Sequence, residues 1–520
     1  MGYLVSLAQK FIAVSVFSSA LVWSTYEDLA IFLETRLSTH RKFLATTLAV
    51  AFFVFLAGSG SAQGQTATVN WTDVHQVIDG FGASNESHGG SMSSANQAFF
   101  FGTGNGQLGL SLLRVGVTDG QQDGGDCTSV STSCAGVYVS DMQAVIANGG
   151  RVYASPWSPP AIYKTNGSTH CTAGGGGGAL ASADYASYAT WMANFVKSLQ
   201  TEYGIPLYAI SVQNEPDQCG AYDTAVWSAA DIDTFIKTNL GPTFAADGLS
   251  TLIFAPEGAN YSSSNGLGST CGTDSSCYNH VGGFNWHDYQ ASMSGTNTVA
   301  ANPYPSGWPS GKKYWQTEAS CGSGYGPSFC ETQASFHADM TTDGLGWAAL
   351  IDQRIAGDNA NSWFFWQTID YDYGGPATST DGSLMANVAG GSAVAKRAYV
   401  LGQYAKFVRP GYYRIDATRQ PQTGVSVSAF QDTPSSTLDI IATNYTGSPV
   451  SQTFNITNAP TFSTLTPTIT SASLSLAAQS NVSASGNSFT YTLPADSITT
   501  FVGRASIPLP PTNLTSTVLQ

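Results

Sequence analysis

The stretch YASYATWMANFVKSLQTEYGIPLYAISVQNEPD, from Tyr185 to Asp217, holds a helix, a break and a strand in succession. Tyr185, Tyr188, Met192, Phe195, Val196 and Leu199 recur at helical spacing and share one face, and Gly204 with Pro206 ends the helix. The short apolar run Leu207 to Val212 then reads as a strand, and it leads straight into Gln213, Asn214, Glu215 and Pro216. Helix, tight turn, strand and polar loop is the repeating unit of a parallel sheet covered by helices. Outward from this unit the same alternation recurs, with strands expected at Leu110 to Val117, Arg151 to Ser155, Thr251 to Ala255, Gly283 to Trp286, Tyr314 to Thr317 and Ser362 to Trp366. The first strand, after Gly80, and the second are the least sharply written. The economical solution is an α/β fold, a (β/α)8 (TIM) barrel over residues 80–406.

Beyond Pro410 the composition turns to Ser, Thr, Val and Asn. Val425 to Phe430, Leu438 to Asn444, Val450 to Ile456 and Phe489 to Leu493 alternate with period two between turn residues, which predicts a side β-sandwich domain over 407–504. Thr66 to Ile78 has the same character and is expected to complete that sheet from the other end of the chain, as residues 66–79. The Pro- and Thr-rich stretch 505–520 reads as a tail. Residues 1–65 read as an extension plus a signal peptide. Arg41 and Lys42 precede the apolar run Leu44 to Gly58, and Ser59 to Ala62 offer small residues before Gln63. That run is shorter than the roughly 20 residues of a spanning helix. Residues 1–40, with a second apolar run from Phe11 to Trp23, fit either a start codon called too early or an uncleaved anchor. A secreted or periplasmic protein is expected, with no stable membrane contact once the signal is removed.

Charged residues make up 10% of the chain, the formal net charge is −15 and aromatics reach 12%. An acidic, sparsely charged surface does not suit nucleic acid. The aromatics, mostly core, leave flat faces for stacking on sugar rings. Eight cysteines all lie between Cys127 and Cys330. In an oxidising compartment bridges are expected. Proximity pairs Cys127 with Cys134, Cys271 with Cys277 and Cys321 with Cys330, leaving Cys171 for Cys219. None of the spacings is the C-x2-C of a zinc site, so neither a metal nor a cofactor is expected.

Barrel chemistry sits where strands end at the C-terminal face. Two glutamates occupy such positions: Glu215 after Leu207 to Val212, and Glu318 after Tyr314 to Thr317. Hydrolysis of a glycosidic bond with retention needs a proton donor on the leaving oxygen and a carboxylate about 5 Å away to attack the anomeric carbon. One Glu at a strand end is commonplace as a cap or ion-pair partner. Two, in a chain with so few acids, point to that chemistry.

The runs QVIDGFGAS (Gln76 to Ser84), LSLLRVGV (Leu110 to Val117), ASPWSPP (Ala154 to Pro160), YAISVQNEPD (Tyr208 to Asp217), WQTEAS (Trp315 to Ser320), FVRPGYYRIDAT (Phe407 to Thr418) and LPADSITTFV (Leu493 to Val502) resemble glycoside hydrolase family 30, in particular its bacterial glucuronoxylan-type endo-1,4-β-xylanases. The resemblance extends from about Thr66 to Arg504. It implies a barrel with a side β-sandwich, a retaining mechanism, Glu215 as acid/base and Glu318 as nucleophile. Asn214 matches the residue that bonds the sugar 2-hydroxyl, against the alternative of a plain turn residue. Trp157 matches a subsite aromatic, against a core Trp. Arg114 is expected to steady Glu318 and lower its pKa, although an Arg bridging two strands would look the same. His287 and Tyr289, after the sixth strand, and Trp366, ending the eighth, match cleft-lining positions. Glu257, after the fifth, fits a supporting hydrogen bonder and a ligand contact equally.

A monomer acting on xylan or a related β-glycan is therefore expected. The alternatives are an endo-β-1,6-glucanase or β-1,6-galactanase of the same family, and a non-catalytic carbohydrate binder, which would dispense with one carboxylate. An acyl-transfer hydrolase would need a nucleophile elbow, and no G-x-S-x-G follows a strand. The chain departs from the family pattern in one place. Glucuronate-dependent xylanases carry an arginine after the eighth strand that grips the uronate. Here the stretch is Gln367, Thr368, Ile369, Asp370, Tyr371, Asp372 and Tyr373, with two acids and no arginine, so strict glucuronate dependence is not expected.

Overall fold

The computed structural model describes residues 65–85, 91–117, 138–289, 291–295, 297–321, 339–370, 383–388 and 391–505. The expected leader, Cys127, Cys134, Cys330, Tyr371 to Tyr373 and the tail lie outside the described residues.

Strand β1 (Thr66–Val77) precedes eight strands, β2 (Gly80–Ser84), β3 (Leu112–Val117), β4 (Arg151–Pro156), β5 (Leu207–Ser211), β6 (Leu252–Gly258), β7 (Val281–His287), β8 (Lys313–Glu318) and β9 (Ser362–Asp370). Strands β2 to β9 are parallel and pair in chain order, and β9 returns to β2, closing the barrel. The expected strands are all present. β2 carried little signal because it reads GFGAS. Its Gly82 is required by close approach: a Cβ there would lie 2.4 Å from the Leu112 backbone oxygen. β9 corrects the expectation that Trp366 ends its strand, since β9 continues to Asp370. Gln367, Thr368 and Asp370 are polar yet buried, so the period-two pattern fails there.

Leu112, Tyr153, Ala209, Phe254, Trp315 and Phe364, from six different strands, fill the barrel interior. Trp315 lies 4.5 Å from the Phe254 ring and 5.6 Å from the Tyr153 ring, centroid to centroid. Below it, at the N-terminal end of the strands, buried Asp79 accepts hydrogen bonds from Lys313 Nζ (2.7 and 2.8 Å), Trp315 Nε1 (2.9 Å), Arg151 Nη1 (3.2 Å) and the Tyr208 hydroxyl (3.2 Å). A buried carboxylate is tolerated only when its oxygens are satisfied in this way. The floor of the barrel is therefore polar, tied and closed.

The helix Tyr185–Tyr203 buries all six residues of the expected face and ends at Gly204, whose φ of 68° is left-handed. Its N–H bonds back to the Gln200 and Leu199 carbonyls. No helix among the described residues is long and apolar enough to cross a membrane.

The side domain is one ten-stranded, mostly antiparallel sheet, nine strands along one hydrogen-bonded path and the two-residue Val482–Ser483 branching from Thr464–Thr470, curled so that its apolar face closes on itself. Val69, Ile415, Val427, Ile440, Phe454 and Phe501 belong to that core. β1 joins it from the far end of the sequence. It pairs antiparallel with Tyr413–Ala417 and parallel with Val450–Thr457. Five of its strands, Tyr413–Ala417, Thr464–Thr470, Ala477–Ala478, Val482–Ser483 and Ser497–Arg504, are additional to those read from periodicity.

Cys171 is bonded to Cys219 and Cys271 to Cys277, two of the expected bridges. Cys321 is also in a disulfide.

Candidate active site

The C-terminal ends of β3, β4, β5, β6, β7, β8 and β9 converge on one cluster of ionisable groups. Arg114, in β3, is fully buried and faces inward. Its Nη1 lies 2.5 Å from Glu318 Oε2, its Nη2 2.6 Å from Asn214 Oδ1, and its Nε 3.2 Å from Glu257 Oε1. One guanidinium thus orients groups from three other strand ends, which suits its rigid planar fork. Trp157 stacks against its face, 4.7 Å from the guanidinium carbon.

Glu215 follows β5 on a turn with φ of 43°, and Glu257 closes β6 with φ of 63°. Both are in the left-handed region, which costs a residue with a Cβ about 1 to 3 kcal/mol. Backbone hydrogen bonds hold the conformation: Asn214 N–H to Pro156 O (2.7 Å), Glu215 N–H to Glu257 O (3.0 Å) and Gln218 N–H to Glu215 O (2.9 Å). Beside it Trp227 Nε1 donates to Gln213 Oε1 at 2.7 Å, fixing the residue before Asn214.

His287, at the end of β7 and fully buried, stands among three glutamates. Its Nδ1 is 3.0 Å from Glu215 Oε1 and 3.6 Å from Glu318 Oε1, and its Nε2 is 3.6 Å from Glu257 Oε1. Tyr289 donates its hydroxyl to Glu318 Oε1 at 2.8 Å. Ser155 Oγ donates to Glu257 Oε2 at 2.6 Å.

Electrostatics follow from this packing. Burial alone would strip the His287 imidazole of its proton, but the Glu318 charge, the hydrogen bond to Glu215 and the nearby Glu257 carboxylate outweigh it and lift its pKa to about 10. Burial pushes the Glu257 carboxyl up, yet Arg114 and His287 pull it to about 2, so it is a permanent anion. For Glu318, Arg114 acts in the expected sense and lowers the pKa, but the net shift is upward. Burial dominates and raises it, with the pull of His287 and Arg114 only partly offsetting.

One oxygen of Glu215, one of Glu318 and a ring nitrogen of His287 lie within 4.8 Å of one another. That spacing would accommodate a cation, but Arg114 and the imidazolium already supply positive charge there. The group Asp233, Cys271 and Cys277 offers no thiolate, since its cysteines are bonded to each other.

Every expected site residue outside the disulfides is therefore in this cluster: Glu215, Glu318, Asn214, Arg114, His287, Tyr289 and Trp157, with the Trp366 ring 5.9 Å from that of Trp157. Ser155 was not read as part of it, and nothing in a short Ala-Ser-Pro run marks a hydroxyl as a carboxylate donor. Arg354 was missed too. It reaches from a helix turn to clamp Asp288, next to His287, at 2.6 and 3.0 Å.

Residues 137–336 match the family model described as the glycosyl hydrolase family 30 TIM-barrel domain. Glucuronoxylanase XynC of Bacillus subtilis (strain 168) is 31% identical over 442 residues, covering 84% of this chain and 91% of its own length. The chain belongs to glycoside hydrolase family 30. Two family 30 xylanase structures superpose on it. Xyn30A of Clostridium acetobutylicum, a subfamily 8 xylanase, is 31% identical with a TM-score of 0.68, over 85% of this chain and all of that one. An endoxylanase of Clostridium papyrosolvens C71 is 30% identical with a TM-score of 0.66, over the same shares. This family 30 member is thus a retaining glycoside hydrolase with a xylanase-like chain.

Proposed function

We propose that the protein is a secreted endo-1,4-β-xylanase that cuts xylan without an obligatory glucuronate, with Glu215 as general acid/base and Glu318 as nucleophile. The observation that carries the roles is the separation of the two carboxylates, with oxygens within 4.8 Å. Retaining pairs stand about 5 to 5.5 Å apart and inverting pairs about 6.5 to 9.5 Å, because the latter leave room for a water. Glu318, held on one oxygen by Arg114 and on the other by Tyr289, attacks the anomeric carbon. Glu215 protonates the departing glycosidic oxygen as that bond breaks. In the second half Glu215 takes a proton from water, which displaces Glu318 and restores both groups. Asn214, with Oδ1 committed to Arg114, turns its amide nitrogen to the sugar 2-hydroxyl. Trp157 and Trp366 form the aromatic wall.

Of the relatives at 31% identity, one is named a glucuronoxylanase and the other a xylanase. The departure concerns the side chain. Past Trp366 the chain offers Asp370, buried at the end of β9, and Asp372, where an arginine would have to stand. Forgoing a charge-assisted hydrogen bond loses about 1.5 to 3 kcal/mol of preference for the uronate. Secretion rests on the leader-like order of residues 41–63, and mature protein from the medium should begin near Gln63.

The test is a product profile on glucuronoxylan, linear xylooligosaccharides, β-1,6-glucan and β-1,6-galactan. Comparable rates on the first two and none on the others are expected. Products carrying a glucuronate at one fixed position, with linear oligosaccharides resistant, would overturn the substrate reading. Cleavage confined to a β-1,6-glycan would overturn the linkage.

A further inference from the structure

Three carboxylates surround His287, and the proposed reaction uses two. The third, Glu257, is fully buried on β6, whereas the Glu215 and Glu318 side chains keep some exposure. It nonetheless touches every part of the machinery. Its carboxylate meets Arg114 at 3.2 Å through both Nε and Nη2, and Arg114 holds Asn214 and Glu318. Its Oε1 faces His287 Nε2 at 3.6 Å, while Nδ1 of the same ring faces Glu215 and Glu318. Its backbone oxygen accepts the Glu215 N–H at 3.0 Å. Ser155 satisfies its remaining oxygen at 2.6 Å.

We infer that Glu257 is a positioning residue that keeps His287 protonated, making the imidazolium a fixed positive pivot for the negative charge that moves between Glu318 and Glu215 during the reaction. This rests on the roles proposed above for those two residues.

The charge count shows why a third anion belongs there. Before reaction the cluster holds Arg114 and His287 as cations, Glu257 and Glu318 as anions, and Glu215 with its proton. When the glycosidic bond breaks, the Glu215 proton goes to the leaving oxygen and Glu318 becomes a neutral ester to the anomeric carbon. The anions are then Glu257 and Glu215. Net charge is zero in both states, and the negative charge has moved from one side of His287 Nδ1, at 3.6 Å, to the other, at 3.0 Å. A neutral imidazole would meet one of the two anions with a lone pair. In a buried site an opposed dipole or unpaired charge is expensive, so the pivot works only while the ring keeps both protons. Burial opposes that protonation, and it is overcome only with the neighbouring carboxylates ionised. Of these Glu257 is the one whose charge does not change during turnover.

The ionisable groups facing His287 are Arg114 on β3, Glu215 after β5, Glu257 on β6, Glu318 on β8 and Tyr289 beyond β7. Tyr153 on β4 interacts with Glu257 itself, and its hydroxyl accepts a hydrogen bond from Asn285 Nδ2 at 2.8 Å. None but Glu257 is both permanently anionic and outside the bond-making steps.

The experiment is an imidazole nitrogen NMR titration of histidine-labelled full-length protein, with a parallel pH profile of kcat and kcat/KM on an aryl β-xylobioside. His287, assigned by its loss in His287→Gln or by its slow exchange, should stay doubly protonated from pH 4 to 8 in the wild type. In Glu257→Gln its titration, and with it the alkaline limb of kcat, should move down by about 1 to 3 pH units. Glu257→Asp should restore part of the shift, and KM should change less than kcat. The wild-type titration needs no variant to fold. A wild-type His287 that titrates near 6.5, or an alkaline limb unmoved in a folded Glu257→Gln enzyme, would overturn the inference. Failure of the Glu215 and Glu318 roles would show separately, as wild-type turnover in a variant of either, whereas the inference is read from His287 in the wild type and in Glu257→Gln.

Discussion

The rings of Trp157 and Trp366 meet at 5.9 Å, inclined by 40°, and the Arg114 guanidinium lies 4.7 Å from the first and 5.9 Å from the second. The two are unequal. Trp157 is 5% exposed and backs the arginine, whereas Trp366 keeps an accessible face. Trp366→Ala should therefore raise KM with kcat little changed, removing about 1.5 to 3 kcal/mol of stacking burial. Trp157→Ala should lower kcat instead, since it loosens Arg114 and with it Glu318. Steady-state kinetics on xylohexaose separate the two, and equal effects on kcat from both would defeat the distinction.

Glu318→Ala should be close to inactive, and azide should restore turnover with inverted product, because the small anion occupies the space of the lost nucleophile. Glu215→Ala should lose about 10² to 10⁴ on xylan. On aryl glycosides with good leaving groups azide should rescue it with retained configuration. Product anomers read by NMR decide between the outcomes, and wild-type rates in either variant would remove that residue from the mechanism.

The Cys171–Cys219 bridge joins the loop after β4 to the loop that begins with Glu215. The same loops are tied by Thr224 N–H to Thr169 O at 3.1 Å and by buried Lys164, whose Nζ donates to Thr169 O at 2.6 Å and to the Thr224 carbonyl. The double variant Cys171→Ser, Cys219→Ser should lose about 2 to 4 kcal/mol of stability. Its activity should fade at temperatures where near-ultraviolet circular dichroism is still native. Coincident loss of activity and structure would mean that the bridge braces the fold as a whole rather than the acid's loop.

Asp439 sits in the side sheet between Phe430 and Val502, 1% exposed, with neither carboxylate oxygen hydrogen-bonded. Burial, reinforced by Asp432, lifts its pKa from 3.8 to about 8. A carboxyl raised on folding binds its proton more tightly in the native state, so stability falls as pH rises from about 4 towards 8. Asp439→Asn should match the wild-type Tm near pH 4 and exceed it by a margin that widens up to pH 8. A constant difference across that range would show that the group does not titrate there.

What the sequence could convey follows from which residues obey a period. β5, β6 and β7 are apolar runs with turns at both ends, and the helix before β5 buries the six residues its spacing picked out. The segments that escaped periodicity, Thr464–Thr470 and the end of β9 beyond Trp366, have reasons to be irregular. Thr464–Thr470 carries Pro467, and β9 lines the barrel with polar but buried side chains. Glu215 and Glu318 were legible because a carboxylate after an apolar strand is conspicuous. Glu257 satisfies the same description, but its buried position depends on a left-handed φ of 63° and on contacts from residues 102 and 143 positions away, which no local pattern encodes.

Strand β1 has no lasting place until residues 413–417 and 450–457 exist to flank it. A chain emerging amino end first therefore makes β1 before the whole barrel and then leaves it waiting, its Ala67 and Val69 uncovered. The first strand made is among the last to dock. The catalytic barrel is consequently not a piece that can be excised: a stop after residue 406 would orphan the strand that leads into β2. Shuffling this enzyme with others must carry both ends of the chain together.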